Sequence, residues 1–87
     1  MTDEQARKIL TQAMHYANVI GLSSEQKHAF EKGTADIELE HLDMDSLAAM
    51  ELCIAIEANT GISVTPDQLR SARTGSALVD LMVGPRS

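Results

Sequence analysis

The segment from Ser46 to Asn59 constrains this chain more than any other, because at helical spacing it carries two apolar stripes on different sides. Ala49, Leu52, Cys53 and Ile56 fall at i, i+3, i+4 and i+7, the pattern that a small helical domain buries. Leu47, Met50, Ile54 and Ala58 form the second stripe, with Glu51 and Glu57 as neighbours. A chain of 87 residues makes one domain with too little mass to cover both sides of a helix, so part of the second stripe should stay exposed. Apolar in the middle and acidic at the rim, it reads as a docking surface.

The start of this helix is equally specific. Asp45 is a good N-cap, since its carboxylate can accept from backbone N–H groups one turn on, which makes Ser46 the first helical residue. The Ser46 hydroxyl should point outward at the positive end of the helix. A phosphate on that oxygen would be favoured by the free N–H groups and the helix dipole, by ~0.3–1 kcal/mol at an exposed site. The position suits a phosphodiester.

Asp45-Ser46-Leu47, preceded by Leu39-x-x-Leu42 and followed by Glu51-Leu52, resembles the attachment motif of acyl carrier proteins. The similarity continues through Ile56-Glu57, Val64-Thr65-Pro66-Asp67 and the stretch from Thr74 to Met82. The resemblance implies an all-α fold, a small acidic four-helix bundle with a short third helix. It also implies that Ser46 receives a 4′-phosphopantetheine arm from coenzyme A through a phosphopantetheinyl transferase of the holo-carrier-synthase type, working with magnesium. The terminal thiol of that arm, not Cys53, would then hold an acyl group as a thioester. Asp45, Glu51 and Glu57 would steer and orient partner enzymes, and Leu47, Met50 and Ile54 would make the desolvated contact. The partners implied are acyl-transferring or condensing enzymes with basic docking patches, and the carrier itself is expected to be monomeric.

The charge distribution agrees with such partners. The net charge is −6, yet no Lys or Arg occurs between Lys32 and Arg70, a segment that holds eight acidic residues. That field disfavours nucleic acid and anionic membrane surfaces and steers basic proteins toward the Ser46 end. No run approaches the length of a membrane span, and no apolar leader region follows the N-terminus. One cysteine cannot form an internal disulfide, so cytoplasmic residence is the default expectation. Apolar content comes from Ala, Leu, Ile and five Met, with one Phe, one Tyr and no Trp. A core of that kind is soft enough to rearrange around an inserted acyl chain.

Other elements follow from local signals. Thr2 and Gln5 form a capping box for a first helix over about 3–19, with Ala6, Ile9, Leu10, Ala13, Met14 and Ala17 inward and Gly21 as C-cap. The long first loop, 20–45, has room for a short helix from Ser23 or Ser24 to about Lys32, with Ala29 and Phe30 inward and Gly33 ending it. Ile37, Leu39 and Leu42 should pin an acidic strap to the core. The second bundle helix should cover 46–59, the third 66–72 behind Thr65-Pro66, and the fourth 75–83 behind Thr74, with a frayed tail from Gly84.

The resemblance implies a carrier for fatty-acid, polyketide or specialised lipid biosynthesis, and several departures from the family pattern point to one dedicated to a specialised pathway rather than to the housekeeping fatty-acid carrier. Asp43 and Met44 precede the motif, Ala58 replaces a commonly acidic residue, Thr60 stands where an aromatic often packs, and the first loop is long. Two other readings compete. A peptidyl or aminoacyl carrier would share fold and modification, but Asp43-Met44-Asp45 replaces its Gly-Gly-x approach to the serine. An unmodified helical interaction module would bind a partner through the second stripe, with Ser46 serving only as a cap. Asp43-x-Asp45 lacks the later oxygen ligand and glycine of a calcium loop, and His15, His28, His41 and Cys53 lack the close spacing of a zinc site. With no nucleophile elbow or catalytic triad, the sequence reads as a substrate carrier without catalytic or metal-binding residues, not as an enzyme.

Overall fold

The computed structural model describes residues 2–19 and 21–84. It is all-α: α1 (Asp3–Tyr16), α2 (Ser24–Lys32), α3 (Ser46–Thr60), α4 (Pro66–Ala72) and α5 (Gly75–Val83), with one turn of 3-10 helix at Leu39–His41. α1 packs against α2, α3 and α5, while α4 bridges α3 and α5. The four bundle helices are thus α1, α3, α4 and α5, and α2 lies within the long first connection. The tail expected from Gly84 lies, from residue 85 on, outside the described residues.

Side-chain caps set most helix starts. Reciprocal capping boxes open α1 (Thr2 with Gln5), α2 (Ser23 with Gln26) and α4 (Thr65 with Gln68). Asp45 and Thr74 cap α3 and α5. Gly33 and Gly61 end α2 and α3 in the left-handed conformation, which costs glycine little. The first helix departs from expectation. It stops at Tyr16 instead of continuing to about 19, because Asn18, a residue that tolerates left-handed backbone, turns the chain at φ 57° before Gly21 is reached. The N–H of Val19 still reaches the carbonyl of Met14 at 3.0 Å, which keeps the turn tight.

The core is Leu10 and Met14 of α1, Leu52 and Ile56 of α3, Leu69 of α4, and Leu78, Val79 and Met82 of α5, all essentially without exposure. Phe30 joins them from α2 and is fully buried. Its ring lies against the backbone of Gly75, where a Cβ would stand 2.7 Å from Cε1 and 2.9 Å from Cζ. The Arg7 guanidinium sits 4.7 Å from the centroid of the same ring and donates to the Phe30 carbonyl at 3.1 Å. Buried Thr11 donates its hydroxyl to the Glu31 carboxylate at 2.6 Å. These contacts make α2 part of the bundle.

Beyond α2, the strap is latched to the α4–α5 junction. Leu39 donates its N–H to the Arg73 carbonyl, and Gly75 to the Ile37 carbonyl, both at 2.8 Å, so that Glu38 and Thr74 form an antiparallel bridge. Asp36 Oδ1 accepts from its neighbour Ile37 at 2.8 Å and from Ser76, in the first turn of α5, at 3.0 Å. Asp36 therefore caps a helix that begins some forty residues later. Asp36→Ala is expected to lower stability by about 1–2 kcal/mol, measured by urea denaturation, because a helix N–H loses its charged acceptor.

Candidate functional site

Ser46 occupies the first position of α3 and is exposed, and its hydroxyl makes no hydrogen bond among the described residues. Asp45 Oδ1 accepts from the Ala48 N–H at 2.7 Å and the Asp45 carbonyl from the Ala49 N–H at 3.0 Å. The N–H groups of Ser46 and Leu47 thus have no intrahelical acceptor, as geometry dictates for a first turn. A free hydroxyl at the N-terminus of a 15-residue helix meets the steric and electrostatic needs of a phosphodiester. Space is available too. Beside the serine lies a hollow of about 280 Å³ lined by Asp43, Asp45, Leu47 and Glu51, with Ala17 and Asn18 from the turn after α1.

From this point the second apolar stripe runs along α3 into solvent. Leu47 is 64 % exposed, Met50 53 % and Ile54 60 %, whereas Ala49, Leu52, Cys53 and Ile56 on the other stripe are buried. One helix therefore anchors the core and displays an apolar surface, which is why its composition is apolar all round. Asp45 and Glu51 flank the serine end. Glu57 is exposed but stands six residues beyond Glu51, about 9 Å further along the axis, so the acidic rim is spread over the helix and not gathered at Ser46.

The stripe does not stop at α3. Ile54, Ala55 and Ala58 line a largely apolar groove of about 420 Å³ whose other wall is Gln12, Ala13 and Tyr16 of α1. Tyr16, the chain's only tyrosine, is 72 % exposed. Sequence reasoning did not single it out; its position off the buried Ala6-Leu10-Ala13-Met14 stripe was the available signal. On the strap, His41 Nε2 lies 3.1 Å from Glu38, and Glu38, Glu40 and His41 bring one potential ligand atom each within 4.8 Å of one another. All three are exposed, and such clusters commonly hold nothing. Among the described residues no helix is long and apolar enough to cross a membrane.

A small helical bundle with a free serine hydroxyl at the head of a half-exposed helix has the features that a carrier domain requires. The model of the family described as "Phosphopantetheine attachment site" matches residues 19–82, and the chain belongs to that family. It is a carrier protein for covalently attached 4′-phosphopantetheine, served by a phosphopantetheinyl transferase and by enzymes that act on the carried group. No curated protein and no solved structure matches the chain.

Proposed function

We propose that the chain is an acyl carrier protein, modified on Ser46, that presents acyl intermediates to the enzymes of one specialised lipid or polyketide pathway. The observation that carries this reading is the exposed, unbonded Ser46 hydroxyl at the N-terminus of α3. In the transferase reaction Ser46 Oγ gives up its proton and forms the P–O bond. The pyrophosphate of coenzyme A breaks, and adenosine 3′,5′-bisphosphate leaves. The bound arm supplies a terminal thiol that holds the acyl group as a thioester. The protein's own part is recognition: Leu47, Met50 and Ile54 offer a desolvated contact, and Asp45, Glu51 and Glu57 attract a basic partner and set its orientation. It contributes no catalytic group, and it acts as a cytoplasmic monomer. Asp43-Met44-Asp45 before the serine, together with the acidic field from 33 to 69, supports an acyl over a peptidyl cargo.

The test is the intact mass of the purified chain before and after incubation with coenzyme A, magnesium and a transferase of broad specificity. Addition of one phosphopantetheine, mapped to a peptide containing Ser46, is the expected result. Repeated failure with several transferases on folded protein would leave an unmodified interaction module as the better account. Partner docking has a separate test. Glu51→Lys is expected to keep the fold and to lower kcat/KM of a partner enzyme by about 10-fold at low salt, through KM, with the difference shrinking as ionic strength rises.

A further inference from the structure

A second groove, of about 450 Å³, opens between the strap and α4. Its apolar lining is Leu39, Leu42, Met44 and Leu69; its charged lining is Glu40, Arg70 and Arg73. The groove is thus amphipathic, with charged side chains beside apolar ones, and its volume falls within the usual range for a small-molecule site. Met44 stands two residues before Ser46, which bounds their Cα separation at about 7 Å. A flexible methionine thus forms the wall nearest the attachment serine.

Arg73 is the unusual member. It has φ 64° and ψ −35°, and the Thr74 N–H bonds to the Ala72 carbonyl across it at 2.7 Å, which makes Arg73 the centre of a γ-turn of the rare strained type. The latch from the Leu39 N–H to the Arg73 carbonyl holds that backbone in place. Such a turn favours glycine, yet an arginine stands there with its side chain exposed. Arg70 is already engaged with Asp67 at 3.7 Å, whereas Arg73 has no ion pair among the described residues. From residue 33 to 85, Arg70 and Arg73 are the only Lys or Arg in the sequence. A strained position that carries a long cation instead of glycine is a candidate for function.

We infer that this groove receives the acyl group carried on Ser46, and that Arg73 selects acyl chains ending in a carboxylate. The apolar lining takes the methylenes, and the planar guanidinium matches a terminal carboxylate in two parallel hydrogen bonds. Glu40 opposes the anion and limits the hold, so the cargo is retained weakly enough to be released. This inference rests on the carrier reading and names its cargo class.

The experiment loads the folded chain from two coenzyme A thioesters of equal carbon count, hexanoyl and adipoyl, with a transferase of broad specificity, and records amide chemical shifts. Adipoyl is expected to perturb Leu42, Met44, Leu69 and Arg73 well beyond hexanoyl. In Arg73→Asn, which tolerates the backbone and removes the charge, the docked-to-undocked ratio of adipoyl should fall about fivefold, the size of one partly exposed charge-assisted contact. Glu40→Gln should raise it. Equal shifts for the two acyl groups, or adipoyl shifts indifferent to Arg73→Asn, would overturn the inference while leaving the carrier function standing. A folded chain that takes up neither arm from any of several transferases would overturn the Ser46 reading, and this inference with it.

Discussion

A Ser46→Ala chain is expected to remain at its unmodified mass under conditions that convert the parent chain completely, while its thermal midpoint stays within the scatter of repeated measurements. The loss would be total because, on the proposed function, the acceptor oxygen itself is removed and the surrounding first turn offers no substitute: Asp45 is engaged with Ala48, and Leu47 and Ala48 have no nucleophile. The stability is preserved because the Ser46 hydroxyl makes no hydrogen bond among the described residues and the residue is exposed. Asp45 still caps α3, and an exposed substitution of this kind is worth no more than about 0.5 kcal/mol either way. Intact mass and a melting curve on the same sample check both halves. Modification elsewhere would show another acceptor, and a large fall in midpoint would show that the serine has a structural duty.

The largest effect on stability is expected from Phe30→Ala, a loss of about 3–5 kcal/mol by urea denaturation. Phe30 is fully buried and is the only large aromatic group in the core. It is touched from α1 by Arg7 and from α5 by the bare backbone of Gly75. Small domains are stable by only about 5–15 kcal/mol, so the variant would be close to unfolding at body temperature. Gly75 supplies a coupled test. In an isolated helix Gly→Ala stabilises by up to about 1 kcal/mol, but here the added methyl meets the Phe30 ring. Gly75→Ala is therefore expected to destabilise the parent chain and to be neutral or stabilising in the Phe30→Ala background. Additive effects would show that the ring and the glycine do not depend on each other.

What the sequence made legible was local. Asp45, Thr65-Pro66, Thr74 and Gly33 act on their immediate neighbours, so the helix starts and stops they set could be read from a few residues. The division of α3 into a buried and an exposed stripe was also readable, because periodicity and chain length together force it. The illegible features are those decided between distant segments. Asp36 caps α5 from forty residues away, Arg73 takes a glycine-like conformation because the strap pins its carbonyl, and Gly75 is small because Phe30 arrives from α2. None of these has a signature in its own neighbourhood. The early end of α1 belongs with them in part: Ala17 and Val19 continue the apolar pattern past Tyr16, and the left-handed turn at Asn18 competes with the glycine three residues later. At the site, the contributions of Ala17, Asn18 and Tyr16 were hidden for the same reason, since they reach α3 only through the packing of α1.

The inward placement of Cys53 would have a chemical consequence on the proposed function, in which the arm holds its cargo as a thioester. A tethered acyl group meets any thiol of its own protein at high effective concentration. An accessible cysteine would intercept it by thiol–thioester exchange and strand it on the domain's surface, away from the arm that delivers it. Cys53 is only 7 % exposed, and burial pushes its thiol above the ordinary value, so the reactive thiolate is scarce at neutral pH. On that reading, packing one side chain into the core would leave the arm with the only exchangeable sulfur and keep the cargo transferable.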